Sequence, residues 1–413
     1  MPEPVEPRRK FNPWVTPKIF RDPTNPDARV KEFFDHYWEW IERSDEVVLN
    51  FATGNGDHIL NYRGLDHVDD TFDWARYNCF GGAESDPFAH NTDWLTRVRE
   101  GGERSGNPYM AGPMFILSEA LLSYRVLANI YRAFREEAAR RGVTLILLEY
   151  LEPGPEFCRS AWKTERHPEG ALGKADAGGN IAAGLIDVCS TLHEDARPYA
   201  AYPEGIREGT ITGDFVAGQA ATFVNDLGLD GIFLGNQFGL LGLWDPRNAP
   251  EPTDDRRAGV TRFFTTMRER FGEKRIYWQD TFWPAAVESA NWAMDPANYA
   301  LLDGVMCSNF AVLVERTNIL PNIRGKLELS RQHGGRPEVF FSVDFVDPWY
   351  WYRVHLDDRR NFVFQHDVYR EIGAECSGIS FFANDTFGQF VPSGPLSETL
   401  AVVRESTSEK AGA

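Results

Sequence analysis

Short apolar runs, each followed by polar residues, recur along the second half of the chain. Clear examples cover residues 231–234, 275–278, 305–307, 339–343 and 379–382. Helical patterns separate these runs, and their starts lie roughly 30 to 45 residues apart, the length of one strand followed by one helix. The pattern predicts repeated strand–helix units that gather polar groups at the same end of successive buried strands.

The first half of the chain carries fewer runs of this kind. Apolar residues at three/four spacing predict a helix from Pro113 to Arg141, which Gly142 closes. The remaining predicted strands cover residues 46–51, 143–149 and 185–192, of which the last has the weakest pattern. The sequence therefore offers eight strand candidates.

Eight strands, each followed by helical material, predict an α/β fold, a (β/α)8 TIM barrel with an elaborated loop after the first strand. An open doubly wound sheet is disfavoured because no GxGxxG turn follows any strand. We expect an N-terminal arm and helix over residues 1–44, the catalytic barrel over 45–395 and a C-terminal helix or tail over 396–413. Residues 54–109 form the expected loop insertion, either a lid or plain surface.

Charge and composition limit the classes of binding partner and the cellular location that we expect. The net charge of −18 argues against nucleic acid or an anionic membrane, and no apolar stretch approaches the ~20 residues of a membrane span. The N-terminus lacks the apolar segment of a secretory signal, and the five cysteines have no CxxC spacing. We expect a cytoplasmic protein, and its many aromatic residues are compatible with a homodimer.

Tryptophan is unusually frequent, with 12 residues, and many of them fall in loops and at strand ends. Exposed rigid aromatic faces are costly unless they bind something, and sugar rings stack on them through their C–H faces. The predicted sugar platform consists of Trp244, Trp278, Trp283, Trp349 and Trp351.

Cleavage of a glycosidic bond needs two carboxyl groups, one protonated and one ionised. Asp344 ends an apolar run and precedes an aromatic segment, which suggests a nucleophile or base; a structural cap is the alternative. Asp280 lies between indoles, and desolvation there would raise its pKa as a general acid requires. The alternative for Asp280 is an N-cap of a helix that begins near Pro284.

Further polar residues at predicted strand ends complete the candidate site. Glu149 and Asp385 are candidate supporting carboxylates, which could instead hydrogen-bond sugar hydroxyls. Amides have the donors and acceptors to recognise hydroxyls but cannot exchange a proton. The amides predicted to contact substrate are Asn236, Gln237, Asn309 and Asn384.

Other chemistries lack their sequence signatures. No HxH or HExxH pair suggests a zinc site, and no GxSxG elbow is present. No lysine lies at a predicted strand end for Schiff-base chemistry, and no glycine-rich phosphate cradle follows the last strands. We therefore predict no cofactor and no metal, with an oligosaccharide or glycoside as substrate.

On these residues the chain resembles the superfamily of (β/α)8-barrel glycoside hydrolases. The resemblance lies in the segment Asp230-Gly-Ile-Phe-Leu-Gly-Asn-Gln-Phe-Gly239, in the aromatic-flanked Asp280 and in Val343-Asp344. It implies hydrolysis or transfer of a glycosidic bond. Where many of these families place a carboxylate after the fourth strand, this chain has Asn236 and Gln237. Either the acid comes from another strand or hydrolysis has been lost, and no single family is assigned.

Two other functions remain open. A metal-dependent sugar isomerase or lyase on the same barrel would use Glu149, His193 and Asp195 as ligands. A non-catalytic carbohydrate-binding protein would explain the missing acid after the fourth strand.

Overall fold

The structure is a computed structural model that contains a closed barrel of parallel strands. It describes residues 10–15, 24–51, 53, 57–60, 62–73, 121–151, 210–235, 254–281, 296–308, 316–344 and 367–382. The strands are β1 (Lys10–Val15), β2 (Glu46–Phe51), β3 (Thr71–Asp73), β4 (Leu121–Ser123), β5 (Leu145–Leu151), β6 (Gly231–Leu234), β7 (Arg275–Thr281), β8 (Gly304–Ser308), β9 (Glu338–Asp344) and β10 (Gly378–Phe382). The helices are α1 (Asp27–His36), α2 (Trp38–Ile41), α3 (Asp57–Leu60), α4 (Tyr124–Arg141), α5 (Thr212–Asp226), α6 (Asp254–Phe271), α7 (Pro296–Tyr299), α8 (Arg316–Gln332) and α9 (367–372).

Eight of these strands close into a ring in the order β1-β10-β9-β8-β7-β6-β5-β2, and all their pairings are parallel. Strands β3 and β4 form a separate antiparallel pair. Helices α4, α5, α6 and α8 each precede the next barrel strand in the chain. The predicted (β/α)8 barrel is therefore confirmed.

The predicted number of strands was right, but one barrel strand was missed and one predicted strand has no place in the ring. The first barrel strand is β1, which lies inside the segment predicted to be an extended arm, so residues 46–51 form the second strand. The predicted strand at 185–192 lies outside the described residues, and the ring closes without it because β5 pairs directly with β6. The elaborated segment consequently follows the second barrel strand.

A proline inside β1 explains why the sequence pattern missed this strand. Pro13 has no N–H to donate, and proline in a strand that is paired on both sides is unusual. The Asn12 side chain donates instead to the Val48 carbonyl on β2, and Asn12 Oδ1 accepts a hydrogen bond of 2.8 Å from Ser380 on β10. The Asn12 amide thus joins β1 to both of its neighbours.

Helix α4 shows how local sequence sets the elements outside the barrel. The Ser123 hydroxyl accepts from the Val126 N–H at 3.2 Å and caps the helix, and Gly142 ends it at φ 70°. The predicted C-terminus is confirmed. The predicted start at Pro113 was wrong at least for residues 121–123, which form β4 because they pair with β3.

The hydrophobic core has two parts, one between the barrel and the helices and one inside the barrel. The larger part includes Phe33, Phe134 and Trp278. The interior part consists of Trp14, Val48, Leu148, Tyr150, Phe233, Tyr277, Met306 and Phe340. Gly304 faces the Tyr277 ring, where a Cβ atom would lie 2.7 Å from a ring carbon, so a side chain at this position would displace the ring.

An ion cluster occupies the amino-terminal opening of the barrel. Lys10, Glu46 and Glu338 are the first residues of β1, β2 and β9. Lys10 Nζ lies 2.7 Å from Glu338 Oε1 and also contacts Glu46, and only 6% of its side chain is exposed. The Tyr277 hydroxyl donates to Glu338 at 2.9 Å. One ammonium group therefore bridges two carboxylates at the base of the barrel, and the charge of Arg275 also acts on both of them.

We expect the variant Lys10→Met to lower the free energy of unfolding by about 3 kcal/mol, because it removes the buried ammonium group that bridges two neighbouring carboxylates. Urea denaturation followed by circular dichroism measures the change. Lys31→Met is the matched control, since Lys31 is exposed on α1 and is expected to change stability by about 0.5 kcal/mol or less. Equal stability of the two variants would contradict a structural role for the cluster.

Within the described part of the chain, no helix has the length and apolar character needed to cross a membrane.

Candidate active site

Four side chains from alternate barrel strands form one layer near the carboxyl ends: Trp14, Tyr150, Gln279 and Ser342. They come from β1, β5, β7 and β9, and four-residue layers from alternate strands are the usual filling of a TIM barrel. The rings of Trp14 and Tyr150 have centroids 5.0 Å apart. The Tyr150 hydroxyl donates to Gln279 Oε1 at 3.1 Å. We call these four residues the mouth layer.

Solvent exposure shows which end of the barrel interior this layer faces. Trp14 and Tyr150 retain 5% and 6% exposure, whereas the other members of the interior core retain at most 1%. Both residues lie one position before the ends of their strands. The mouth layer is therefore the uppermost described layer of the barrel interior, at the end where TIM barrels hold their active sites.

The two favoured catalytic aspartates both lie in carboxyl-terminal parts of barrel strands. Asp344 is the last residue of β9, its backbone pairs with Phe382, and it follows Ser342 of the mouth layer by two residues. Asp280 is the penultimate residue of β7 and pairs with Cys307. Along their strands, Asp344 lies two positions after Ser342, and Asp280 lies two positions after Trp278. The structure describes the backbone of the two aspartates and not their side chains, so their catalytic roles remain predictions.

The Glu149 side chain lies on the outer side of the barrel, between β5 and the helices, and is fully buried. Its neighbours Leu147 and Leu151 on alternate positions pack in the outer core, whereas Tyr150 packs inside the barrel. Glu149 Oε1 accepts from the Thr53 N–H at 2.9 Å. The carboxylate therefore faces the helices, and its predicted place beside the catalytic pair differs from its place in the structure.

A phenol and an imidazole complete the surroundings of Glu149. The Tyr131 hydroxyl on α4 donates to Oε2, and His58 Nε2 on α3 lies 3.4 Å from Oε1. Burial and the adjacent carboxylate raise the pKa of Tyr131 well above its usual value, so the phenol keeps its proton and remains a donor. The cluster joins β5 to the segment that follows β2.

Trp278 was predicted to belong to the sugar platform, and the structure puts it in the core instead. Its indole is fully buried and packs against Phe264 and Tyr299, with ring centroids 6.4 and 6.1 Å away. These contacts lie between β7 and helices α6 and α7. The reason is strand alternation: successive side chains of a strand face opposite sides, and the preceding residue, Tyr277, faces the barrel interior.

The other predicted site residues cannot be compared with the structure. Those outside the described residues are Asn236, Gln237, Trp244, Trp283, Asn309, Trp349, Trp351, Asn384 and Asp385. They remain predictions.

The sequence pattern did not select Trp14, Tyr150 and Gln279, the aromatic and amide members of the mouth layer. Trp14 belongs to the strand that was assigned to the arm, so no pattern drew attention to it. Tyr150 and Gln279 each stand next to a carboxylate in the sequence, at Glu149 and Asp280. Each lies two positions after an interior residue of its strand, Leu148 or Tyr277, but the sequence alone does not identify those interior residues.

No group of three or more His, Cys, Asp or Glu side chains suited to a metal ion occurs in the described ranges. Glu149, the first ligand of the alternative metal site, is engaged by Thr53 and Tyr131. The other two suggested ligands, His193 and Asp195, lie outside the described residues.

Comparison with known proteins gives no family for this chain: no family model matches it, and no curated protein matches it. Solved structures with a similar backbone include the glycoside hydrolase domain of PgaB (BpsB) from Bordetella bronchiseptica, with a TM-score of 0.46 and 11% identity over 97% of this chain and 98% of that one. An alpha-amylase from Geobacillus thermoleovorans has a TM-score of 0.39 and 9% identity over 97% and 77% of the two chains. A pyruvate carboxylase from Rhizobium etli has a TM-score of 0.31 and 11% identity over 95% and 29%. At these TM-scores the likenesses say nothing about activity, and the fold rests on the strand pairing itself.

Proposed function

We propose that this chain is a carbohydrate-active enzyme that hydrolyses or transfers a glycosidic bond by paired-carboxylate chemistry. The observation that carries the proposal is the position of Asp344 at the carboxyl end of β9, two residues beyond Ser342 of the mouth layer. That layer combines an indole, a phenol, an amide and a hydroxyl group. Aromatic faces and neutral hydrogen-bonding groups suit a sugar ring, and a carboxylate beside them suits attack at its anomeric carbon.

In this mechanism Asp344 is the nucleophile or the general base. The second carboxyl group protonates the leaving oxygen and comes from Asp280 or Asp385. Asp280 lies two positions after the core residue Trp278, and alternate positions of a strand fall on the same side. This position favours Asp385 as the acid, which lies three residues beyond the end of β10. Retention or inversion then depends on the separation of the two carboxyl groups, about 5 Å for retaining and 6.5–9.5 Å for inverting enzymes.

The test is a panel of aryl glycosides and unmodified oligosaccharides incubated with the purified full-length chain, with and without EDTA. We expect sugar release from at least one compound at the same rate in both conditions. Release that EDTA abolishes would favour the metal-dependent isomerase or lyase. Thermal stabilisation by sugars without any product would favour a binding protein, and both results would contradict paired-carboxylate hydrolysis.

A further inference from the structure

Gln279 is the amide of the mouth layer, and its orientation is fixed. Its Oε1 accepts the Tyr150 hydroxyl at 3.1 Å, which directs the NH2 group to the opposite side of the carboxamide. Among the described residues, none accepts a hydrogen bond from Gln279 Nε2. The residue is 2% exposed, and Nε2 is not one of the fully buried side-chain atoms that lack a partner, so a ligand in the mouth can reach its donors.

The composition of the layer differs from that of a barrel filled for stability. Branched aliphatic side chains usually fill TIM-barrel layers. The levels beneath this one mix apolar residues such as Leu148, Phe340 and Met306 with the buried polar residues Asn12, Asn50 and Ser380. The mouth layer is set apart by Trp14 and Tyr150, the members of the interior core that retain the most exposure, and by the amide of Gln279 beside them. This combination matches a ring that has an apolar face and hydroxyl groups at its edge.

We propose that Gln279 is a substrate-binding residue that donates from Nε2 to a hydroxyl of a pyranose ring lying over Trp14. This inference rests on the proposed function and adds to it the group that holds the sugar at the cleavage position. Hydrogen bonds to ring hydroxyls that strengthen in the transition state contribute substantially to glycoside cleavage. Tyr150 is a positioning residue, because it acts on substrate through the Gln279 amide.

The test uses Gln279→Met, which keeps the length of the side chain and removes the amide. On a substrate from the panel we expect kcat/KM to fall about 10- to 100-fold, the cost of losing a buried hydrogen bond to substrate. Tyr150→Phe should give a smaller fall, because the amide remains but is no longer held. Gln332→Met on the exposed end of α8 is the matched control and should leave kcat/KM unchanged.

Binding is measured separately so that this inference and the proposed function can fail independently. Saturation-transfer NMR with methyl glucoside, methyl galactoside and methyl mannoside should show at least one sugar bound by the wild type and by Asp344→Asn. The same sugar should bind Gln279→Met at least 10-fold more weakly. Undiminished binding and kcat/KM in Gln279→Met would overturn the subsite while leaving the hydrolase intact. Binding without turnover would keep the subsite and reject hydrolysis, and absence of binding to the wild type would overturn the subsite.

Discussion

Replacing Asp344 with asparagine is expected to lower the rate of glycoside cleavage by about 1,000-fold or more while leaving the fold intact. The amide preserves the size of the side chain, but it can neither attack an anomeric carbon nor exchange a proton at neutral pH. The rate is measured on the best substrate from the panel, and circular dichroism verifies the fold. Asp66→Asn in the exposed turn before β3 is the control and should retain full activity.

The leaving group separates the two candidates for the acid. If Asp385 protonates the leaving oxygen, Asp385→Asn should be severely slowed on an unactivated oligosaccharide and far less on a dinitrophenyl glycoside, whose leaving group needs no proton. Asp280→Asn should then behave like the wild type on both substrates. Full activity of Asp344→Asn would remove the proposed mechanism altogether.

Replacing Glu149 with alanine is expected to lower the free energy of unfolding by about 3–5 kcal/mol. The carboxylate is fully buried and accepts hydrogen bonds from the Thr53 N–H and the Tyr131 hydroxyl. Its removal leaves both donors buried without an acceptor and opens a cavity beside His58. Glu149→Gln retains one carbonyl oxygen and the volume of the side chain, so a smaller loss of about 1–2 kcal/mol is expected.

Urea denaturation measures both variants, with Glu328→Ala on exposed α8 as a control of about 0.5 kcal/mol or less. The experiment also separates the two roles considered for Glu149. A variant as stable as the wild type but without activity would restore the catalytic role suggested by the sequence and contradict the structural one.

The barrel was predictable because its later strands, such as β9, are apolar on both faces and are separated by helices of regular spacing. β1 was not, because Pro13 and Asn12 interrupt its apolar pattern and a side-chain amide replaces the missing backbone donor. That replacement depends on the register with β2, which only the folded chain defines.

The candidate site was less predictable than the fold for a related reason. A strand buried on both faces gives no alternation of apolar and polar residues, so the sequence cannot tell which neighbour in a pair such as Trp278 and Gln279 faces the barrel interior. Glu149 and Asp280 were selected as candidate site residues because they are carboxylates, and their neighbours Tyr150 and Gln279 were not. The packing of Trp278 against Phe264 and Tyr299, which fixes the register of β7, is a long-range contact.

The most direct test of the central claim is a count of the glycosidic bonds that each protein molecule cleaves in the presence of EDTA. Reducing sugar released from the best substrate is followed over time and divided by the amount of protein. We predict many cleavages per molecule, at a rate that EDTA does not change. A total at or below one bond per molecule, or release that stops when EDTA is added, would contradict a carboxylate-driven glycosidase.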